Sequence, residues 1–161
     1  MKNALKILLP ILALFTLSHC NKDDKNENVP TTDGTITCKV DGKAWKSEIA
    51  AGLYSGGIYI LSGTAVDGTG VGVSFEGTQV GTYDLTRLTS NDGTYLVATS
   101  GKAYGTQIQT DKNVNKLNIT QIDIVNQTLS GTFEFYATEE SDDTDKVHIT
   151  EGVLNKVPFV K

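Results

Sequence analysis

Cysteine, histidine, methionine and tryptophan are scarce in this chain of 161 residues, which holds two, two, one and one of them respectively. Beyond residue 20 the only histidine is His148 and the only cysteine is Cys38. A tetrahedral zinc site needs several Cys or His ligands, and a disulfide framework needs pairs of cysteines, so neither is expected. Acidic residues outnumber basic ones by 19 to 14, and the net charge of −5 lacks the basic face of a nucleic-acid-binding protein. We expect no metal, no cofactor and no nucleic-acid partner.

Long apolar runs are absent as well. The run Ile7–Phe15 is interrupted by Pro10 and is far shorter than the roughly 20 apolar residues of a membrane-spanning helix. Lys2 and Lys6 precede it, and a charged, Asn-rich stretch at 21–30 follows, which could not continue a core. A basic start, a short apolar segment and a polar exit are typical of a secretory signal peptide. The sequence therefore predicts export.

The segment Leu17-Ser18-His19-Cys20 resembles a bacterial lipobox, in which the cysteine becomes the first mature residue and carries acyl chains. His19 stands where a small residue is usual. Several acyl chains, at about 0.8 kcal/mol per buried methylene, would hold the protein on a membrane essentially permanently. We predict lipidation of Cys20. The alternatives are an ordinary signal peptide cut elsewhere and a Cys20–Cys38 disulfide in an unlipidated protein.

Lys22, Asp23 and Asp24 follow directly, and they resemble the lysine-plus-acidic-pair signal that sends lipoproteins of Bacteroidetes-type bacteria to the outer face of the outer membrane. The resemblance implies a lipid-anchored protein that faces the cell exterior, with the periplasmic face as the alternative. Loss of residues 1–19 would leave 12 basic and 19 acidic residues, a net charge of −7. An acidic body is held off an anionic membrane, so the lipid is expected to supply the anchorage.

The chain divides into a signal peptide at 1–19, a flexible tether at 20–33 and a single domain at 34–161. From Gly34 onward, short segments of period two alternate with turn residues, and no window has helical periodicity. This pattern predicts an all-β fold, an antiparallel meander of about ten short strands that forms a two-sheet sandwich or a flattened barrel.

Several local features are predicted within this domain. Asp41-Gly42 lies between two alternating runs and favours a tight hairpin turn. A change of parity predicts a β-bulge or a break near Thr120-Gln121, and strict alternation predicts a half-buried strand over Thr128–Thr138. Pro158 lacks a backbone donor, so the last strand should lie at an edge. After this strand the alternation continues, and three apolar residues are expected to point into the core: Val147, Ile149 and Val153.

Three stretches, Cys38–Trp45 (CKVDGKAW), Ser130–Phe135 (SGTFEF) and Ile149–Gly152 (ITEG), together resemble an uncharacterised family of Bacteroidetes lipoproteins, a domain of unknown function. The likeness spans about residues 34–161. It implies an all-β exported domain and brings no catalytic residues.

Candidate catalytic groups are few. His148 alternates with Val147 and Ile149, so it is expected on a polar, solvated face, and no Gly-x-Ser-x-Gly motif supplies a nucleophile for it. A cluster of acids is interpreted as a charged hairpin loop because it lacks the spacing of a calcium loop: Glu139, Glu140, Asp142, Asp143 and Asp145.

Four aromatic residues are candidates for a ligand-stacking face, although aromatic residues in strands more often pack in a core: Trp45, Tyr59, Tyr83 and Tyr136. We expect a non-enzymatic surface lipoprotein that acts in binding or envelope structure, with a glycan, a protein or a small apolar ligand as partner. One alternative is a lipocalin-like carrier with a cavity on the order of a few hundred Å³. Another is a hydrolase, which would need convergent ionisable groups of perturbed pKa.

Overall fold

The computed structural model describes residues 34–86, 89–106 and 114–161, and these ranges contain eleven strands and no helix. Within them, no helix is long and apolar enough to cross a membrane. The all-β prediction is confirmed, with one strand more than the ten expected. The strands are β1 (Thr35–Val40), β2 (Lys43–Lys46), β3 (Ile49–Ser55), β4 (Ile58–Thr64), β5 (Thr69–Glu76), β6 (Gly81–Asp84), β7 (Asp92–Val97), β8 (Lys102–Gly105), β9 (Lys116–Asp123), β10 (Thr128–Glu139) and β11 (Lys146–Val160).

All eleven strands belong to one mixed sheet, in the order β2-β1-β11-β3-β4-β5-β7-β8-β10-β9-β6. Because β10 also pairs with β11, the strands from β11 to β10 close into a ring. The pairs β1–β2 and β9–β6 extend outward from it. The pairings are antiparallel except that of β11 with β3, which is parallel at Phe159↔Gly52 and Val160↔Leu53. The fold agrees with the expected all-β architecture, a sandwich or flattened barrel, and its parallel contact departs from a simple antiparallel meander.

The ring is flattened into two layers that pack face to face. Tyr59 of β4 meets Phe159 of β11 edge to face, with ring centroids 5.1 Å apart. Gly93 of β7 makes room for the other layer, since a Cβ there would lie 2.7 Å from the ring of Phe135. The layer β2-β1-β11-β10-β9-β6 therefore covers the layer β3-β4-β5-β7, and their outer surfaces point in opposite directions.

Large side chains fill the space between the layers. Tyr59, Phe75, Phe135 and Phe159 are each at most 1% exposed, and Tyr59 stacks on Phe75 at 5.1 Å. Each such side chain contributes about 1.5–3 kcal/mol when it is fully buried. In the part of the chain described, these rings fill the interior where a lipocalin-like carrier would bind its ligand.

Three local predictions are confirmed. Asp41 and Gly42 both have left-handed φ values, 48° and 79°, as a two-residue turn between β1 and β2 requires. On β9, Gln121 pairs with Ser130 while Ile119 pairs with the adjacent Gly131, so Thr120 is the extra residue of a bulge. The predicted half-buried strand at 128–138 is β10, whose alternate residues from 129 to 137 are all buried.

The predicted inward position of Val153 is wrong, because its side chain is 40% exposed. β11 contains two irregularities, at Glu151 and Lys156, whose φ values are 51° and 48°, and its register with β10 shifts beside each of them. Each extra residue reverses the parity of the side chains that follow. Gly152 and Leu154 therefore point inward after the first bulge.

The predicted edge position of the last strand is also wrong, since β11 pairs with β1, β10 and β3. Pro158 is tolerated because β1 reaches only as far as the pair Thr35↔Asn155. Beyond that pair, Pro158 faces Gly34, where a Cβ would lie 2.5 Å from the proline Cδ. The next residue, Phe159, supplies the N–H that bonds to the carbonyl oxygen of Gln127 at 2.9 Å.

Candidate functional site

The outer surface of the layer β2-β1-β11-β10-β9-β6 carries rows of polar side chains. The pairing registers place Thr82, Asn118, Thr132 and Val153 side by side on four successive strands. The hydroxyl of Thr82 donates to Asn118 Oδ1 at 3.3 Å. We define the polar face by these residues: Thr37, Lys39, Thr82, Asp84, Lys116, Asn118, Thr132, Glu134, Tyr136, His148 and Val153.

Charges alternate along the second row of the polar face. Lys116 pairs across strands with both Asp84 and Glu134, and its ammonium donates to the Asp84 carboxylate. Glu134 Oε1 then lies 3.2 Å from His148 Nε2. Exposed cross-strand pairs of opposite charge contribute about 0.2–1 kcal/mol each. These pairs therefore add little to the stability of the fold, and their main effect is an alternating pattern of charge on the surface.

An aromatic pair stands beside this row. Tyr136 and His148 are cross-strand partners, and their rings stack at 3.8 Å with an interplanar angle of 11°. The backbone beneath both rings is held by side chains, since Tyr136 N–H donates to Asn115 Oδ1 at 2.9 Å and His148 N–H donates to Asp41 Oδ1 at 2.8 Å. Tyr136 is 38% exposed, so the pair is a preorganised contact surface open to solvent.

Of the four aromatic residues predicted to face a ligand, Trp45 and Tyr59 are buried. Trp45 is 9% exposed, and its Nε1–H donates to Thr69 Oγ1 at 2.7 Å, which joins the two layers. Tyr59 is 1% exposed, and burial raises the pKa of its hydroxyl. Both residues occupy inward positions of their strands and belong to the core.

Tyr83 is only partly exposed. Its ring packs on Phe75 with centroids 4.6 Å apart, and its hydroxyl donates to the carbonyl oxygen of Gln79 at 2.6 Å. Tyr136 alone among the four belongs to the polar face. The four aromatic residues therefore do not form one exposed face, and the partner of Tyr136 is His148, which the sequence pattern did not connect with it.

The predicted lipidation and export residues, Cys20, Lys22, Asp23 and Asp24, lie outside the described residues. Cys38 is a free thiol, 6% exposed, and burial raises its pKa to about 12. A thiol of that pKa is almost wholly protonated at neutral pH and is a poor nucleophile. Cys38 is a small residue of the hydrophobic core.

Glu139 and Asp142 bond to residues of their own loop, and Asp145 bonds to β8. Asp142 Oδ1 accepts from the N–H and hydroxyl of Thr144, which lowers the pKa of the carboxyl. The Lys102 ammonium bonds to Asp145 and lowers the pKa of that group. Among the residues described, no group of three or more His, Cys, Asp or Glu side chains is placed to hold a metal. This arrangement supports the interpretation of the segment as a hairpin loop between β10 and β11.

The arrangement around His148 does not favour hydrolysis. Its ring contacts Glu134 and Tyr136. In the described ranges no hydroxyl or thiol group is hydrogen-bonded to the ring, as a histidine base acting on a nucleophile would require. The His148 ring thus contacts a carboxylate and an aromatic ring.

The three stretches that carry the family resemblance meet at one structural junction. Gly152 of ITEG is the cross-strand partner of Phe133 in SGTFEF, and the β1–β2 hairpin of CKVDGKAW pairs with β11 around the Glu151 bulge. A Cβ at Gly152 would lie 2.4 Å from the Phe133 ring. These stretches therefore specify packing beneath the polar face.

Comparison with known proteins gives one match. The model of a family described as "Domain of unknown function (DUF6252)" matches residues 32–158. No curated protein and no solved structure matches the chain.

Proposed function

The chain belongs to the family Domain of unknown function (DUF6252), and from that premise we propose that it is an exported lipoprotein whose β domain binds a ligand outside the cell. In this proposal, acyl chains on Cys20 hold it on the outer membrane, and residues 20–33 tether the domain that begins at Gly34. The order of basic residues, short apolar run and cysteine supports export and acylation.

The observation that carries the binding role is the aromatic pair of Tyr136 and His148 on the polar face. Stacked rings at 3.8 Å present apolar edges, while Glu134, Thr132 and Asn118 beside them offer carboxylate, hydroxyl and amide groups. A glycan matches this combination, since its C–H groups pack on rings and its hydroxyls bond to polar side chains. The proposed activity is recognition of a glycan without chemical change.

Acylation is tested in a bacterial host that is fed radiolabelled palmitate. The full wild-type chain should take up label, and Cys20→Ala should lose it. Cys38→Ala is the matched control, because it removes the other cysteine and should keep the label. Label in both wild type and Cys20→Ala would end the lipidation proposal.

Surface exposure is tested by protease treatment of intact cells. Replacing Lys22, Asp23 and Asp24 with alanine should protect the domain from protease, because the export signal is gone while the acylated cysteine remains. The control replaces Asn26 and Asn28 with alanine and should stay accessible. Equal digestion of both variants would count against the export signal, and a protected wild type would favour the periplasmic face.

Glycan recognition is tested with the mature chain on an array of polysaccharides from bacterial and host surfaces. Tyr136→Ala should weaken binding about tenfold, the equivalent of roughly 1.4 kcal/mol, which is of the size expected for an aromatic contact. Thr64→Ala, on the opposite layer, should bind as the wild type does. A glycan that binds both variants equally would place recognition elsewhere, and the absence of any bound glycan would contradict this choice of ligand.

A further inference from the structure

The outer surface of β3 and β4 is the opposite of the polar face in character. All of its outward side chains lie within the described residues and none is charged: Ile49, Ala51, Leu53, Ser55, Ile58, Ile60, Ser62 and Thr64. Gly70, Gly72 and Ser74 continue this surface onto β5. We call these eleven residues the uncharged face. Acids border this face: Glu48 directly precedes Ile49, Glu76 is the register partner of Ile58, and Asp92 lies on β7.

A row of aliphatic residues crosses one end of the uncharged face. Leu53 is the register partner of Val160 on one side and of Ile60 on the other. The three side chains are 48% (Val160), 40% (Leu53) and 38% (Ile60) exposed. Single exposed apolar residues are ordinary, whereas contiguous ones in a surface without charge mark an interaction site.

The chain enters the domain beside this row. Gly34 is packed against Val157 and Pro158, two residues before Val160. If Cys20 carries the lipid, the 14 residues from 20 to 33 span at most about 50 Å when fully extended. The anchor therefore keeps the domain within about 50 Å of the lipid, with the aliphatic row on the side where the tether enters. This tethering raises the local concentration of the face at the lipid surface.

The distribution of charge agrees with this orientation. Asp84 and Glu134 lie on the polar face, which points the other way. Lys161 follows Val160 directly and is exposed. A lysine at the edge of an apolar surface suits phosphate headgroups. The uncharged face itself therefore brings no negative charge to the point of contact.

We propose that the uncharged face rests on the lipid surface, with Val160, Leu53 and Ile60 at the headgroup boundary, so that the polar face is held outward. This inference rests on the proposed anchor at Cys20. A second copy is a weaker choice of occupant, since three half-exposed side chains fall far short of the roughly 800 Å² per partner that a stable dimer buries.

Single-cysteine probes test the orientation. Cys38 is buried and Cys20 is acylated in this proposal, so a fluorophore attached to a thiol will report only an introduced cysteine. The lipidated full chain with Ile60→Cys is incorporated into phosphatidylcholine vesicles that contain spin-labelled lipid. The matched control is Thr132→Cys on the polar face. We expect the Ile60 probe to lose fluorescence to the spin label and the Thr132 probe to keep it.

Four outcomes would overturn the proposal. Equal quenching of both probes would show that the domain has no preferred orientation on the lipid. An unquenched Ile60 probe in protein that floats with the vesicles would show that the face does not touch lipid. Crosslinking between Ile60→Cys copies would identify a second copy as the occupant. If the protein does not float with the vesicles and a second label attaches at Cys20, Cys20 is not acylated. In that case both the proposed anchor and the membrane contact that depends on it are wrong. Leu53→Asp should release the Ile60 probe from quenching while flotation is retained.

Discussion

Gly152 of β11 offers a sharp test of the packing beneath the polar face. A Cβ at this position would lie 2.4 and 2.5 Å from two carbons of the Phe133 ring and 2.5 Å from the Phe133 carbonyl oxygen. Side-chain rotation can relieve the first two contacts but not the third. Phe133 itself is 4% exposed and stacks near Phe135 at 6.0 Å, so its ring has little room to move. Gly152→Ala should therefore strain the β10–β11 pairing.

The expected cost follows from these contacts. Overpacking a core costs about 1–3 kcal/mol, and a clash with a backbone oxygen in a paired strand belongs at the upper end. Alanine returns about 0.4–1 kcal/mol through the lower entropy of the unfolded chain. The net loss for Gly152→Ala is thus about 2–2.5 kcal/mol in the free energy of unfolding. For a domain of this size it lowers Tm by about 10 °C.

Trp45 provides the assay, because it is the only tryptophan in the chain and it is buried. Urea titrations followed by its fluorescence give the unfolding free energy of each variant. Gly70→Ala on the outer surface of β5 is the matched control, since its Cβ would come no closer than 3.4 Å to any neighbour, and it should change stability by less than about 1 kcal/mol. A loss below about 1 kcal/mol for Gly152→Ala would refute the steric argument.

Three further predictions concern titration and reactivity. Burial raises the pKa of Cys38 in the folded state to about 12, whereas the thiol of the unfolded chain loses its proton at about pH 9. The free energy of unfolding should therefore decline as the pH rises above about 9. Cys38→Ala should flatten that decline in urea titrations, and equal slopes would refute it. The hydrogen bond from Lys102 lowers the pKa of Asp145, so the stability that this carboxylate contributes is present above the ordinary carboxyl pKa and is lost as the pH falls through the lowered value. Asp145→Asn should therefore make the free energy of unfolding less sensitive to acid. The same acid profile in the variant and the wild type would contradict this. A thiol reagent should label Cys38 only under unfolding conditions, and rapid labelling of the native domain would contradict its burial.

The sequence predicts the parts of this fold that depend on uninterrupted alternation. Along β10 the apolar residues Leu129, Phe133 and Phe135 fall at strict period two and all are buried. The turn at Asp41-Gly42 is equally local, because its residue types determine the left-handed backbone. Such features need no knowledge of the rest of the chain.

Prediction fails at the two bulges of β11, where Glu151 and Lys156 adopt a left-handed backbone. Glu151 and Lys156 give no sign in the sequence that they are bulges, and the missed parity change misplaced Val153. Pairing partners are set by distant contacts as well, so neither the parallel contact of β11 with β3 nor the meeting of Tyr136 with His148 could be derived from local pattern. The uncharged face was missed for the same reason, because its residues become neighbours only when β3, β4 and β11 are aligned.

The two bulges of β11 connect the two surfaces to which we assign roles. Before the first bulge, β11 supplies His148 to the polar face, and after the second it ends in Val160, beside Leu53 of the other layer. Bulges bend a strand and increase its twist, which allows one 15-residue strand to pair with β1 and β10 and then reach β3. Because the polar face and the aliphatic row share this strand, the orientation of one fixes that of the other. A domain that rests on lipid through Val160 must therefore present Tyr136 and His148 away from the membrane.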